Sequence, residues 1–371
     1  MDMQGLRIAL VGPLPPPAGG MANQTRQLAE LLRGEGALVE LVQTNAAYRP
    51  AWIEGVPGLR AFCRLLPYLW ALWRAAGRAE LMHLMANSGW SWHLFAAPAI
   101  WIASLRGVPV LVNYRGGEAG SFLARSAGLV GLSLRRASAL LVPSGFLQQV
   151  FARHGFRAEI LPNVVDLQCF RPAESGAAAV APSQLLVARN LELLYDNATA
   201  IRAFARAREC LPGLRMTVAG TGPEAQRLRE LGDSLGLGEA LCLAGRVERE
   251  AMAALYRDSA LSLNPSLADN MPNSVLESLA SGVPVISTNV GGVPHLVQDG
   301  VTALLVPPQD VQAMSDAILR LLGDAALRAA LRRNGLDEVQ RYTWSQIGPQ
   351  LAAYYRRSLQ TPAADLLAPH P

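Results

Sequence analysis

Two carboxylates, Asp269 and Glu277, stand eight residues apart in the second half of the chain. Asp269 falls in a polar loop that follows an apolar run, and Glu277 falls in the short helix beyond it. Pro272 suits the first turn of that helix, and Asn270 or Asn273 can cap it. Eight helical residues span roughly 12 Å, whereas the two carboxyl groups of a glycoside hydrolase lie about 5 to 9.5 Å apart. The spacing therefore favours contacts to the two ends of one long ligand.

A cation and several glycine turns follow other apolar runs. Arg189 ends the first such run of the second half, and a guanidinium can bind two oxygens of a diphosphate at once; the alternative is an ordinary surface arginine. Gly19 and Gly20 precede a helix whose N–H groups and dipole favour an anion, with Asn23 and Thr25 available as caps. The alternative there is plain turn geometry. Further glycine turns lie at Gly220 and Gly222, Gly245, and Gly291 and Gly292.

The composition indicates two folded domains. The 371 residues exceed one ordinary core, and 51% hydrophobic with 17% charged residues allow two sizeable cores. The cysteines are scattered and no signal-peptide pattern precedes them, so we expect a reducing, cytoplasmic setting: Cys63, Cys169, Cys210 and Cys242. The chain contains no Lys, so every basic side chain is a guanidinium.

The basic excess lies in the first half of the chain. Residues 1–175 hold 16 Arg and 10 Asp or Glu, a net of +6, and residues 176–371 hold 17 and 19, a net of −2. Six of the seven Trp fall between Trp52 and Trp101, interleaved with arginines: Arg60, Arg64, Arg74, Arg78 and Arg106. This pattern is typical of a face on an anionic membrane, and equally of aromatic residues that fill a core. The apolar run 94–105 is too short to span a bilayer, which takes about 20 residues.

Apolar runs separated by helical patterns predict an α/β fold with two open parallel sheets. The first domain is expected over residues 1–172, a linker over 173–183, a second domain over 184–342, and a terminal helix over 343–360 interrupted at Pro349. The tail after Thr361 is expected to fray. In such sheets ligands bind beyond the carboxyl ends of the strands, so a cleft between the domains is the expected site. The predicted strands are residues 6–11, 39–43, 81–85, 108–113, 139–143, 158–161, 184–188, 215–219, 241–243, 261–264, 283–288 and 303–306.

Several segments together resemble one protein family. They are IALVGPLPPPAGGMANQTRQLAELL, PNVVDLQCFRP, LLVARNLE, VAGTGPE, LAGRVERE, the two acids, and SLASGVPVISTNVGGVPHLVQDGVTALLVPP. The chain resembles, over both halves, the retaining glycosyltransferases of family 4, also called group 1. The resemblance implies the GT-B fold, with two Rossmann-like parallel-sheet domains facing a cleft and a C-terminal helix crossing back to the first domain.

The resemblance also implies residue roles. Glu277 would bind the ribose hydroxyls, and Asp269 with the backbone N–H groups of Asn270 and Met271 would hold the transferred sugar. Arg189 would meet the diphosphate. The remaining expected donor contacts are Ser274, Arg246 and Val247 near the base, and Gly19 and Gly20 across the cleft against phosphate or acceptor.

This chain departs from the family pattern at several positions. Asp269 stands where the family usually has Glu, and His295 where it often has Glu. The family Lys after the arginine is missing, since only Leu194 and Tyr195 lie there. Arg115 follows Tyr114 where many members have His. Its guanidinium cannot act as a general base, but it can stabilise a leaving diphosphate or bind an anionic acceptor; a salt bridge to Glu118 is the structural alternative. His83 lies in a predicted strand, and we expect it to be structural rather than catalytic, although it points toward the cleft side of its sheet.

These observations predict a retaining, metal-independent glycosyltransferase that positions a nucleotide-diphosphate sugar with Asp269, Arg189 and Arg115. The diphosphate oxygen would take the acceptor proton. No Asp-x-Asp motif or His and Cys cluster with ligand spacing occurs, so neither a metal nor a cofactor is expected. The acceptor would be a lipid-linked or polysaccharide intermediate of envelope or exopolysaccharide synthesis, met at the inner face of a membrane, and nucleic acid is not an expected partner. Alternatives are a nucleotide-sugar epimerase of the same fold and a non-catalytic partner protein.

Overall fold

The computed structural model describes residues 3–16, 19–46, 59–173 and 183–360. The described residues form two compact units: unit 1 lies within Met1–Asn163 and Ile347–Pro371, and unit 2 is Val164–Gln346. Most of the expected linker, residues 174–182, falls outside the described residues, as do Trp52 and the tail after Gln360.

Unit 1 is built on a parallel sheet. Its apolar strands are buried on both faces, which is why they read as continuous apolar runs. Within the described residues the order is β2-β1-β3-β4-β5-β6, so the order in which successive strands join the sheet reverses between β1 and β3. The strands are β1 (Arg7–Gly12), β2 (Leu38–Gln43), β3 (Leu81–Ala86), β4 (Val110–Tyr114), β5 (Ala139–Val142) and β6 (Glu159–Ile160).

Five helices cover this sheet in the described part of unit 1 before the terminal helix. They are α1 (Gly20–Gly34), α2 (Leu59–Ala76), α3 (Ala97–Leu105), which follows the wide turn Trp92–Ala96, α4 (Ala119–Leu134) and α5 (Gly145–Arg153). Residues of α2, α3 and α4 such as Leu72, Ile100 and Leu134 pack with β3 and β4 into the main core. Among the described helices none has both the length and the apolar character that crossing a bilayer requires.

Unit 2 has a second parallel sheet. In the described residues the order is β12-β11-β10-β7-β8-β9, and the reversal point lies between β7 and β10. The strands are β7 (Gln184–Ala188), β8 (Arg215–Ala219), β9 (Leu241–Gly245), β10 (Leu261–Asn264), β11 (Val285–Thr288) and β12 (Leu304–Val306). All twelve predicted strands therefore occur, within a few residues of their predicted bounds, and the predicted fold class is confirmed.

Helices pack on both faces of the second sheet. Phe204, Ile318 and Leu263 belong to the core on one face, and Val275, Leu279 and Tyr256 to the core on the other. The helices are α6 (Asn197–Cys210), α7 (Ala225–Ser234), α8 (Arg249–Arg257), α9 (Asn273–Ala280), α10 (Val311–Gly323) and α11 (Ala325–Val339). Short helical turns occupy Leu193–Tyr195, Gly238–Ala240, Val293–His295 and Gln340–Tyr342.

The division between the units lies after residue 163 rather than at the expected residue 172. The segment between these positions belongs to unit 2 because it is tied there by specific contacts. The amide of Val165 donates to the carbonyl oxygen of Tyr342 at 2.9 Å. Phe170 packs edge-on against Tyr256, with ring centroids 5.9 Å apart.

The terminal helix α12 (Trp344–Gln360) returns to unit 1. Tyr355 is buried, and Arg357 pairs with Glu159 at the end of the first sheet. The helix runs through Pro349, so the predicted interruption there is wrong. Pro349 lies in the second turn, where its missing N–H removes only the bond to the carbonyl of Ser345.

The hydroxyl of Tyr355 lies 2.8 Å from Nδ1 of buried His83. A change of Tyr355→Phe removes only that hydroxyl and leaves the ring N–H of His83 without its acceptor. Because an unsatisfied buried donor costs about 1–3 kcal/mol, we expect a loss of that size in the free energy of unfolding, measured by urea denaturation.

Tyr354→Phe is the matched control, since its hydroxyl donates to the carbonyl of Ile160 at 3.2 Å in an exposed position. We expect this change to cost at most about 0.5 kcal/mol. Equal losses for the two variants would contradict a structural role for the buried pair.

Candidate functional site

The strand order places a polar cluster at the reversal point of the second sheet. Arg189 follows the last residue of β7, and Ser266 and Asp269 follow β10, the neighbouring strand. In doubly wound sheets the ligand crevice lies at the carboxyl ends of the two strands that flank this point. The sequence prediction that Arg189 and Asp269 serve one site therefore has a topological reason.

Arg189 and Asp269 form a largely buried ion pair. Arg189 Nη2 lies 2.5 Å from Asp269 Oδ2, and the two side chains are only 10% and 12% exposed. Arg189 Nη1 donates to Ser274 Oγ at 3.3 Å, and its guanidinium stacks on the ring of Tyr195 at 4.0 Å. The Nε atom of Arg189 is buried and has no hydrogen-bond partner among the described residues. A buried guanidinium with an unused donor is suited to bind an anion.

The carboxylate of Asp269 is held from several sides. Ser266 Oγ donates to Oδ2 at 3.2 Å, and the amide of Asn270 donates to Oδ1 at 3.1 Å. The carbonyl oxygen of Asp269 accepts from the amide of Gly292 at 2.8 Å. The Asn270 amide, predicted to hold a sugar, thus binds Asp269 in this structure. Met271 is buried in the core below the loop.

The start of helix α9 differs from the prediction. Pro272 occupies the N-cap position itself with extended backbone, and no side chain makes a cap hydrogen bond there. Asn273 is the first helical residue, so neither Asn270 nor Asn273 serves as the predicted cap. The reason is the backbone of Pro272, whose φ of −66° and ψ of 121° place the turn one residue later.

Glu277 is the fifth residue of helix α9, just over one turn from its start, and lies beside Tyr256. The Tyr256 hydroxyl lies 3.2 Å from Glu277 Oε2 and 3.1 Å from the carbonyl oxygen of Ser274. Burial raises the pKa of Glu277 from its ordinary value to about 7, although the Tyr256 hydrogen bond and the nearby charges of Arg249 and Arg189 oppose this. Asp269 and Glu277 thus differ in environment: one is ion-paired, and the other is partly buried beside a hydroxyl.

Two further predicted residues lie in the loop after β9. Arg246 is exposed and forms an ion pair with Glu248 at 3.0 Å. Val247 packs against the core that contains α9. Gly245, just before them, has a φ of 67° and accepts a hydrogen bond from Gly220 at 2.8 Å. The side chain of Arg246 is thus engaged with its neighbour on the surface and does not contact the Arg189 cluster.

In unit 1, Gly19 is the extended N-cap residue of α1, and Gly20 begins the helix. No side chain makes a cap hydrogen bond, because Thr25 donates to the carbonyl of Met21 instead at 2.9 Å. The predicted capping by Asn23 or Thr25 is therefore wrong. A Cβ atom at Gly19 or Gly20 would meet nothing within 4 Å, so packing does not require glycine at these positions.

Arg115 ends a buried hydrogen-bond chain in unit 1. Its Nε donates to Asn113 Oδ1 at 2.8 Å, and Asn113 Nδ2 lies 3.0 Å from His83 Nε2. The arginine thereby fixes the amide orientation, so Nδ2 donates to Nε2 and the ring proton of His83 points to Tyr355. Burial lowers the pKa of His83 to about 3 and that of Arg115 to about 9. His83 is therefore neutral and hydrogen-bonded at both ring nitrogens, and Arg115 is cationic at pH 7.

The sequence did not indicate that Ser266 belongs to the Arg189 cluster, and Tyr195 was noted only as a residue at the place of the family Lys. Ser266 and Tyr195 are close in sequence to predicted residues, and their hydroxyl and aromatic types were the available signal. Tyr195 occupies the region where the family has Lys, and it contributes a π face instead of a charge. Tyr256 and Arg249 lie on α8, where the helical pattern gave no sign of their proximity to Glu277.

The fold is similar to that of solved glycosyltransferase structures. Sucrose-phosphate synthase from Thermosynechococcus elongatus matches with a TM-score of 0.77 and 21% identity, over 96% of this chain and 99% of that chain. HepE from Anabaena, solved with UDP and glucose, matches with a TM-score of 0.73 and 18% identity, over 95% and 99%. Two parallel-sheet units of this kind define the GT-B class.

Family models and relatives give the family. Residues 177–337 match "Glycosyl transferases group 1" and residues 19–164 match "Glycosyl transferase 4-like domain". The chain belongs to the group 1 glycosyltransferases, as its motifs predicted. A D-inositol 3-phosphate glycosyltransferase of Segniliparus rotundus is 26% identical over 92% of this chain and 85% of that protein.

Other relatives match over shorter stretches. An exopolysaccharide phosphotransferase of Streptomyces coelicolor is 33% identical over 49% of this chain but 19% of that protein. A D-inositol 3-phosphate glycosyltransferase of Acidothermus cellulolyticus is 31% identical over 55% of this chain and 48% of that protein. The chain thus spans half or less of the length of these two relatives.

The raised pKa of Glu277 predicts that its ionisation lowers the free energy of unfolding as the pH rises. The carboxyl ionises near pH 4.5 when unfolded and near 7 when folded, so its contribution destabilises the fold increasingly between these values and fully above them. We expect Glu277→Gln to raise the free energy of unfolding at pH 8 by about 1–2 kcal/mol and to leave it nearly unchanged at pH 4, measured by urea unfolding.

Glu338→Gln is the control, because Glu338 also accepts from a tyrosine hydroxyl, that of Tyr342 at 3.2 Å, but pairs with Arg341 near the surface. This variant should show no gain at pH 8. A Glu277→Gln protein that is less stable than the parent at pH 8 would contradict the prediction.

Gly291 is required where the chain approaches Asp269. Its φ is 53°, and a Cβ atom would lie 2.1 Å from the carbonyl oxygen of Asp269. Gly300 has a similar φ of 69° but nothing within 4 Å. We expect Gly300→Ala to cost about 1–2 kcal/mol from backbone strain alone and Gly291→Ala at least about 1 kcal/mol more. Chemical denaturation of both variants checks this, and equal costs would show that the close approach relaxes freely.

Proposed function

We propose that the chain transfers a sugar from a nucleotide-diphosphate sugar to a hydroxyl acceptor with retention at the anomeric carbon. The observation that carries the proposal is the convergence of Arg189, Asp269 and Ser274 beyond β7 and β10, with Ser274 three residues before Glu277 on helix α9. This is where a doubly wound sheet binds its ligand, and membership of the family supports the same chemistry.

Arg189 binds the diphosphate in this proposal. Its unused Nε is a donor for a phosphate oxygen, and the stacked ring of Tyr195 holds the guanidinium plane in place. When the bond between the sugar and the diphosphate breaks, negative charge grows on the departing oxygen. A fixed cation stabilises that charge because no reorganisation is needed as the charge develops. In unit 1, Arg115 is the second cation assigned to the diphosphate or to an anionic acceptor.

The two acids have separate roles. Asp269 holds the transferred sugar, with its carboxylate positioned by Ser266 and the Asn270 amide. Glu277 accepts hydrogen bonds from the ribose hydroxyls. Because its pKa is about 7, the carboxylate form that accepts both hydroxyl protons increases from pH 6 to pH 8, and nucleotide affinity should rise with it.

Retention without a covalent intermediate fits the surroundings of Asp269. Its carboxylate is already bound by Arg189, Ser266 and the Asn270 amide, a state that weakens it as a nucleophile. A diphosphate oxygen then takes the acceptor proton. We propose that arginine side chains, and not a metal ion, neutralise the diphosphate, so activity should persist in EDTA. The base-side contacts assigned to Arg246 and Val247, and the anion contacts of Gly19 and Gly20, belong to the same proposal.

The proposed acceptor is a lipid-linked or polysaccharide intermediate, in keeping with the exopolysaccharide name of one relative. A reducing, cytoplasmic setting fits the cysteines, all four of which are free. The donor base and sugar stay open, so a panel of uridine, guanosine and adenosine diphosphate sugars is the first experiment.

Donor binding should depend on Arg189 and Glu277. With a donor identified from the panel, we expect Arg189→Ala or Glu277→Ala to weaken binding about 10- to 100-fold in calorimetry, the effect of one lost charge-assisted hydrogen bond. Arg341→Ala is the control, since it removes an exposed ion pair of unit 2 with Glu338. Absence of binding for every nucleoside diphosphate sugar, or equal loss in the control, would refute the donor site.

Turnover separates the remaining alternatives. Release of nucleoside diphosphate only when acceptor is present supports transfer, and proton couplings of the product report whether the anomeric configuration is retained. An isomerised sugar nucleotide formed without acceptor would identify an epimerase. Binding without any turnover over an acceptor panel would identify a non-catalytic protein.

A further inference from the structure

Large apolar side chains are exposed on three neighbouring helices of unit 1. Of the 14 exposed large hydrophobic residues in the described part of the chain, seven lie on α2, α3 and α4. They are Leu66, Trp70, Trp73, Trp101, Leu105, Leu129 and Leu132. We call these seven residues, together with Arg74, Arg106, Arg125 and Arg136, the tryptophan-arginine face. Trp70, Trp73 and Trp101 are 61%, 45% and 40% exposed, so the prediction that the aromatic residues fill a core does not hold for them.

The spacing shows that this face is continuous along each helix. Leu66, Trp70 and Trp73 follow one another at four and three residues on α2, and Leu129 and Leu132 lie three apart on α4. Such positions share one side of a helix. The opposite side of each helix is buried in the main core of unit 1, as at Leu72. These helices are therefore apolar on two sides, although only one side has a protein partner among the described residues.

Arginine side chains join the three helices. Arg74 lies over the Trp70 ring at 4.5 Å, Arg106 over Trp73 at 4.0 Å, and Arg136 over Trp101 at 3.6 Å. The second contact links the end of α3 to α2, and the third links the end of α4 to α3. The guanidinium groups thus lie directly on the exposed rings, and charge and apolar surface are combined in one layer.

The charge on these helices has one sign. Residues 59–76, 97–106 and 119–136 contain no Asp or Glu and seven Arg. Of the acids nearby in sequence, Glu80 accepts from the backbone amide of Arg7 at 3.0 Å, and Arg78 pairs with Glu40 outside the face. The three helices therefore contribute Arg, Trp and Leu to the face and no acidic residue of their own.

We propose that the tryptophan-arginine face of unit 1 binds the headgroup layer of an anionic membrane. Trp favours the interface between water and hydrocarbon, Leu enters the acyl boundary, and Arg attracts anionic headgroups. A second copy of the chain is a poorer partner, because a symmetric contact would bring Arg74, Arg106 and Arg136 of one copy against the same arginines of the other. A nucleic acid would use the arginines and rings but would leave the exposed leucines in water.

The test is binding of the purified full chain to vesicles of phosphatidylglycerol and phosphatidylcholine, compared with phosphatidylcholine alone. We expect sedimentation with the anionic vesicles at low salt and release at high salt. Arg125 is exposed on α4, four residues before Leu129, and so lies on the same side of that helix. The charge variant is Arg74→Glu, Arg106→Glu and Arg125→Glu together. It should weaken the apparent affinity for anionic vesicles on the order of 100-fold, because each arginine near the membrane surface raises that affinity about fivefold.

A matched control carries the same charge change on the other unit: Arg227→Glu, Arg229→Glu and Arg341→Glu, all exposed residues of unit 2. It should bind anionic vesicles nearly as the parent does. A second face variant, Leu66→Ser with Trp70→Ser and Leu105→Ser, keeps every charge and should lose the part of binding that resists salt. Circular dichroism and thermal unfolding of each variant show that it is folded.

Three results would overturn the proposal. The first would be a parent protein that does not bind anionic vesicles at any salt concentration. The second would be a control that loses as much affinity as the charge variant. The third would be face variants that instead abolish binding to a single-stranded oligonucleotide, or that abolish self-association measured by light scattering. None of these measurements uses a nucleotide sugar, so their outcome is independent of the proposed transfer reaction.

Discussion

The ion pair between Arg189 and Asp269 joins the two loops on which the candidate site is built. One loop follows β7 and the other follows β10, strands that are far apart in sequence but adjacent in the sheet. Because both side chains are nearly buried, breaking the pair on either side would leave a charge without its partner, and such a loss is strongly destabilising. The pair therefore constrains the loop that leads into α9, and through that helix the position of Glu277.

The same loop shows how backbone and side chain constrain each other. The carbonyl of Asp269 accepts from Gly292 while its carboxylate accepts from Ser266 and its own neighbour Asn270. An Asp is one methylene shorter than a Glu, so its carboxylate stays close to its own backbone. The short side chain therefore allows the same carboxylate to accept hydrogen bonds within its own loop and to pair with Arg189. Asp269, which stands in place of the family Glu, thus has hydrogen-bond and ion-pair partners that suit a shorter side chain.

The fold was largely predictable because strands buried on both faces appear as apolar runs, and the runs alternate with helices. That Arg189 and Asp269 lie near each other was predictable from their positions after strands, whereas Glu277 lies within helix α9. The cap of α9 and the course of α12 through Pro349 were not, because they depend on backbone angles. The chain from Arg115 to Tyr355 joins residues up to 272 positions apart, and no local pattern reports such a pairing. The exposure of Trp70 and Trp101 was equally hidden, since periodicity does not distinguish the two sides of a helix that is apolar on both.

That two-sided character has an energetic consequence for unit 1. Helix α2 buries Tyr68 and Leu72 in the core while Leu66, Trp70 and Trp73 face outward. Helices that are apolar all round are usually buried. The outward side chains contribute no hydrophobic stabilisation to the fold while they stay in water. The stacked arginines reduce the exposed aromatic area and keep the surface charged, which opposes self-association. The surface is therefore compatible with a free protein in water and still retains apolar area that a lipid interface would cover.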